Sequence, residues 1–217
     1  NYIGKLKNIW NDGFRSFEID AYFKDNNTTY FQVGHDNDVM GMKIEDFLSS
    51  VEYSDIQRIW LDFKNLNKSN YKQALAHLND LDITFDLKRK IIVESSTTLS
   101  FFKEFKKEGW HTSYYMPTTK LVTLLQENNI KEMKKLAVKI SAQIKSQNLS
   151  AISFDNRLYL FVKQYLEPMI ADNIVYHVWY APPLRKESFP NELQQNKLFL
   201  DKRVKTLLSS YKSQFDL

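Results

Sequence analysis

Apolar and polar positions along the chain follow two periods. Short runs rich in β-branched and aromatic residues, apolar at every second position, alternate with longer stretches whose apolar positions recur three and four residues apart. The first kind predicts strands over Phe14–Phe23, Thr29–His35, Ile59–Lys64, Lys90–Ser95, Thr112–Met116, Ala151–Phe154, Ile174–Tyr180 and Val204–Ser209. The second predicts helices over Ile3–Asn11, Lys43–Val51, Asn70–Leu81, Thr98–Glu108, Thr119–Ser146, Arg157–Met169 and Glu192–Asp201. Breakers punctuate the pattern: Gly109 closes a helical run, Pro182-Pro183 ends a strand, and Asn26-Asn27 reads as a hairpin-like turn. The stretch Thr119–Ser146 is long for one barrel helix and is open to being two. Its charge run Lys131-Glu132-Met133-Lys134-Lys135 reads as a solvated face.

Strands alternating with helices imply a parallel sheet wrapped by helices. If Phe14–Phe23 and Thr29–His35 count as one strand with an extended continuation, seven strand–helix units result, and the helix Ile3–Asn11 precedes them all. A (β/α)8 barrel of the TIM type has eight strands, each followed by its helix. The simplest reconciliation puts strand one immediately upstream of Asn1, with residues 1–217 forming a single, N-terminally incomplete barrel domain. The rival is an open doubly wound sheet. Against it, the chain has only 5 glycines and shows no Gly-rich strand-to-helix turn of the kind that cradles nucleotide phosphates.

Composition narrows the function. Cysteine is absent, which excludes disulfides, thiolate metal sites and cysteine nucleophiles. The net charge of +4 is mild, with 30 basic residues set against 26 acidic ones. It suits an anionic small-molecule substrate, and without clustering or a recognition motif it does not argue for nucleic acid. No apolar run approaches about 18 residues, so no transmembrane segment is expected. No signal peptide is visible either, which points to a cytoplasmic protein while leaving open a leader ahead of Asn1.

Three constellations carry candidate chemistry. In Phe17-Glu18-Ile19-Asp20 a strand turns both carboxylates to one face and the apolar residues to the other. Two carboxylates sharing a face are costly unless a cation sits between them, and hard oxygen ligands suit Mg2+ or Ca2+. A solvent-facing polar edge explains the same pattern. In Gln32-Val33-Gly34-His35-Asp36 a histidine follows a strand, where it could exchange protons near neutral pH or simply cap a turn. In Ile59-Trp60-Leu61-Asp62-Phe63-Lys64-Asn65, Asp62 and Lys64 share a face with Trp60. Asp62 could complete a metal shell and Lys64 hold a phosphate oxygen, or the two could form a self-satisfied ion pair.

Taken together, Glu18-Ile19-Asp20, His35-Asp36 and Asp62-Phe63-Lys64 resemble, in order and separation, the superfamily of glycerophosphodiester phosphodiesterases and spider-venom sphingomyelin-cleaving phospholipases. The resemblance is motif-level over Phe14–Asn65 and architectural beyond it. It implies a barrel binding one Mg2+ (or Ca2+) through Glu18, Asp20 and Asp62, with Lys64 on the phosphoryl group and His35 as one of two acid–base histidines. The first histidine of that pair belongs to a strand ending upstream of Asn1. Glu94, Tyr115 and Trp179 fall where the family places substrate-contacting side chains. The implied activity is metal-dependent hydrolysis or lysis of a glycerophosphodiester-like or related small phosphodiester. The alternative is a barrel of the same descent that binds a ligand or regulates without turnover. Of the remaining histidines, His77 reads as helix surface, His111 as the opening of a strand and His177 as an interior residue.

Overall fold

A computed structural model describes residues 2–25, 28–34, 41–50, 53–95, 101–184 and 196–211. It contains two compact units, one within residues 1–112 and one within 113–212.

In the first unit, α1 (Tyr2–Asn11) turns at Gly13 into β1 (Ser16–Lys24). The alternation in β1 has the expected result: Ile19, Ala21 and Phe23 are buried on one face, and Glu18 and Asp20 occupy the other. β1 runs parallel to β4 (Arg58–Phe63), and β4 to β5 (Ile91–Glu94). β5 pairs in turn with the first residues of β6 (His111–Tyr115). On its other side β1 pairs antiparallel with β2 (Tyr30–Val33), and β2 with the two-residue β3 (Met42–Lys43). The second extended run therefore folds back on the first as a hairpin and does not prolong it, leaving β1 as the parallel strand. A Cβ at Gly41 would collide with the carbonyl of Val33, so the β2–β3 connection is closed at the one residue type that permits the approach.

Helices α2 (Ile44–Ser49), α3 (Tyr71–Phe85) and α4 (Phe102–Lys107) join these strands. α3 buries Ala74, Leu78, Leu81 and Phe85, a stripe at helical spacing. It is stopped by Asp86 in the left-handed conformation, while the Asp82 carboxylate accepts from the amides of Leu87 and Lys88. Phe23, Phe31 and Phe63 pack ring against ring in the core beneath it.

The second unit continues β6 and adds β7 (Ala151–Asp155), β8 (Val175–Leu184) and β9 (Val204–Tyr211), all parallel. The long helical run divides into α5 (Thr118–Gln126) and α6 (Ile130–Ser146). The break is local chemistry. Asn128 adopts a left-handed conformation, and the Asn129 side chain accepts from the Glu132 amide to cap the new helix. After β7, α7 (Tyr159–Phe161) runs into a π-helical turn, Val162–Leu166. Polar groups here settle among themselves. Lys163 donates to Glu167 and, at 3.0 Å, to Asp201. Tyr159 also donates to Asp201 and Tyr176 to Glu167, and Arg203 reaches Tyr176 and Asp172.

With β1 and β4–β9, seven parallel strands are present among the described residues, the number the periodicity predicts. No helix among them is long and apolar enough to cross a membrane.

Candidate metal centre

The candidate centre lies in the first unit and is built by strand register. Asp20 of β1 pairs with Asp62 of β4, and Asp62 with Glu94 of β5. Residues at one level of neighbouring strands project to one face, so the three carboxyls form a row. Glu18 lies two residues before Asp20 on the same face, level with Trp60. One carboxylate oxygen each from Glu18, Asp20 and Asp62 lies within 4.8 Å of the others. Three hard, anionic oxygens so close are a donor set that fits Mg2+ or Ca2+ and no softer ion in particular.

Lys64 immediately follows β4. Its ammonium is 2.7 Å from Asp20 Oδ1 and 2.5 Å from Asp62 Oδ2. Burial works against the charged form. The hydrogen bonds that Lys64 donates to Asp20 and Asp62 outweigh it and hold the lysine well above its usual pKa. The cluster thus already contains one cation, spanning two of the three prospective ligands. Glu94 is fully buried. Its burial first, and then the charge of Asp62, push its carboxyl well above the usual carboxylate range.

The strand ends that carry the centre are held by a residue the motifs did not point to. Asn65 accepts from the amide of Phe23 at 2.8 Å and donates to its carbonyl at 2.9 Å. Its side chain thereby extends the β1–β4 ladder beyond the last backbone pair, and the Lys64 amide adds a bond to the carbonyl of Ala21. Asn70 in turn donates to the Asn65 carbonyl.

No protein-family profile matches the chain, and no curated protein matches it. Solved structures do. A glycerophosphodiester phosphodiesterase from Parabacteroides distasonis superposes with a TM-score of 0.61 at 13% identity, covering 96% of this chain and 84% of that one. A putative glycerophosphoryl diester phosphodiesterase from Agrobacterium tumefaciens gives 0.59 at 10% identity, covering 95% and 85%. The chain shares the (β/α)-barrel fold of these two structures. The likeness that the motifs suggest is borne out at this level, and identities this low carry the fold alone.

In a (β/α) barrel, residues at the carboxyl ends of strands are the ones positioned for chemistry. Asp62, Lys64 and Glu94 lie at or just past such ends, and Glu18 and Asp20 face the same way from within β1. Tyr115 ends β6 and Trp179 lies in β8, both in the second unit, where their rings meet at 4.9 Å between centroids. Asp155 ends β7 between them and grips the exposed guanidinium of Arg157 with both oxygens. His35 and Asp36 lie outside the described residues. His77, expected on the helix surface, is half-buried against Phe23 and Phe31 and meets Glu45 at 3.1 Å. His177 is buried in β8, level with Ser153, as its strand pattern suggests.

Proposed function

We propose that this chain is a divalent-cation-dependent phosphodiesterase acting on a glycerophosphodiester-like or related small phosphodiester. The observation that carries the reading is the convergence of Glu18, Asp20 and Asp62 oxygens within 4.8 Å on two paired strands. These residues would hold Mg2+ or Ca2+, which when bound supplies positive charge against phosphoryl oxygens.

The chain's own residues do the rest. Lys64 is a second positive contact: with its hydrogen bonds to Asp20 and Asp62 shared or exchanged, its ammonium can hold a phosphoryl oxygen of the substrate. His35 exchanges a proton with the nucleophile or the leaving group. The nucleophile is water or a neighbouring hydroxyl of the substrate itself. Glu94, Tyr115 and Trp179 contact the remainder of the substrate, the two aromatic rings packing its organic part. In this reading residues 1–217 work as one barrel domain.

A second reading is a barrel that binds a ligand without turnover. Lys64 is the observation in its favour, because an ammonium already bridging Asp20 and Asp62 gives the cluster internal compensation.

Thermal melting with and without Mg2+, on wild type and Asp20→Asn, tests the first reading. A Mg2+-dependent rise in melting temperature that the variant loses, together with Mg2+-dependent cleavage of glycerophosphocholine, is the expected result. A metal-dependent rise without cleavage of any phosphodiester favours the binding barrel. No rise with Mg2+, Ca2+ or Mn2+ overturns the metal centre.

A further inference from the structure

The charge of the molecule is not spread evenly. α6 carries Lys131, Lys134, Lys135, Lys139 and Lys145 against the single acid Glu132, a net charge equal to the +4 of the whole chain. The rest of the molecule is neutral in sum. α5, packed beside α6, adds Lys120 and no acid.

The lysines also share one side of the helix. At about 100° per residue they fall within a stripe of about 140°. It lies opposite the buried positions Met133, Ala137, Ile140 and Ile144. All five are exposed, and among the described residues only Lys135 has an acidic partner, Glu132 at 3.6 Å. Along the middle of the stripe run Val138 and Ala142, both exposed, with Val138 55% accessible. A helix anchored by its apolar face thus presents outward a basic stripe with a small apolar spine, about 25 Å long.

We propose that this outward face of α6 docks the protein on an anionic lipid bilayer. The chemistry of the face favours that partner over other polyanions. Lysines are mobile point charges that suit a diffuse negative surface, whereas the planar fork of arginine, which reads discrete phosphates, is absent from α6. No aromatic residue lies on α6 to stack bases, as single-stranded nucleic acid requires. The anchors typical of a protein interface, Trp, Tyr and Arg, are absent from it as well. Val138 and Ala142 are small enough to enter the headgroup layer while the lysines around them stay at its level. The surface uses none of the residues given a part in the proposed activity and does not depend on it.

Flotation of the purified chain with vesicles tests this, using phosphatidylcholine alone and phosphatidylcholine with about one third phosphatidylserine, in low and high salt. The expected result is retention only on the phosphatidylserine vesicles, released by high salt. Replacing Lys131, Lys134 and Lys139 together by Gln lowers partitioning about 100-fold, at roughly fivefold per lysine. Removing equal charge elsewhere, as Lys72→Gln with Lys103→Gln and Lys205→Gln, changes it far less. Circular dichroism of both variants checks that α6 is kept, which Gln's helix propensity favours. Absence of retention, equal retention on neutral vesicles, or equal loss in the two triple variants overturns the proposal. Tighter binding of a labelled nucleic-acid duplex than of the vesicles, abolished by the α6 variant, overturns it in favour of nucleic acid.

Discussion

The two units treat acidic residues in opposite ways. In the second, each acid of the polar network has a cation beside it: Asp155 with Arg157, Glu167 and Asp201 with Lys163, Asp172 with Arg203. In the first, the row that holds Glu18, Asp20, Asp62 and Glu94 contains the Lys64 ammonium, which bridges Asp20 and Asp62. Both arrangements use the same residue types on or beside parallel strands. Balanced charges stabilise or cost little, whereas an excess of carboxyls at one level of a sheet is disfavoured unless protons or a cation offset it. The first unit already shows one such response in the raised pKa of Glu94. Charge balance, more than the presence of charge, therefore separates the two units, and a bound cation of the kind proposed for the first would restore that balance.

Replacing Lys64 by Met tests this contrast most severely. Without the ammonium, Asp20 and Asp62 lose the cation they share, so the metal-free protein melts lower and gains more from Mg2+ than wild type does. Turnover of a phosphodiester falls by about 10²–10³-fold in kcat, the loss typical of removing one charge-stabilising donor. Calorimetric Mg2+ titration and steady-state kinetics read the two effects separately. A variant that melts lower but gains nothing from Mg2+ would mean that Lys64 serves only as an internal counter-ion, making the first unit no different in kind from the second.

This charge imbalance was partly legible in the sequence. The pair Glu18 and Asp20 shows itself because a period of two separates it from Ile19 and Ala21, and Asp62 with Lys64 shows itself in the same way. The seven parallel strands follow from alternation with helices, which is local information. That Asp20, Asp62 and Glu94 lie at one level is a matter of register between strands 30 or more residues apart, which no local pattern encodes. Asn26-Asn27 reads as a hairpin-like turn, yet counting the two extended runs as one strand misses the antiparallel pairing of β2 with β1 and β3, because an extended run looks the same whether it continues a strand or folds back along it. His77 borders the buried stripe of α3, so helical period alone put it on the surface, and its contact with Glu45 spans 32 residues. Asn65 gave no signal at all, since its partner is the backbone of Phe23 and backbone partners leave no trace in residue type.

Asn65→Ala is accordingly expected to cost more than its polar, strand-flanking position suggests. The substitution removes two hydrogen bonds and leaves the amide and carbonyl of Phe23, a residue that is itself buried, without that partner. A loss of about 1–3 kcal/mol in urea unfolding is expected. Because Asn65 follows Lys64 directly, Mg2+ affinity should weaken as well, through the looser placement of Asp20 against Asp62. A stability loss with unchanged Mg2+ affinity would show that the ladder is rigid without the clamp.

The smallest effect belongs to the balanced unit and appears as a dependence on pH. Burial raises the pKa of Glu167, but Lys163 and Tyr176 lower it further, and the balance leaves it below the usual value. Asp201 is depressed in the same way, burial being outweighed by the Arg203 amide, Lys163 and Tyr159. A carboxylate whose folded pKa is depressed contributes stability that is fully present above its unfolded pKa, about 4, and is lost as pH falls through the folded value. Lys163 is shifted upward, so its own contribution fades only at strongly alkaline pH. Lys163→Met should therefore cost about 1 kcal/mol near pH 7, since the pairs are partly exposed to solvent. The gap from wild type should narrow as pH drops below about 4, where protonated carboxyls no longer need the ammonium. Urea unfolding at several pH values measures that gap. A gap constant down to pH 3 would mean that Lys163 stabilises the turn by packing its aliphatic stem, and that charge balance is not what holds the second unit together there.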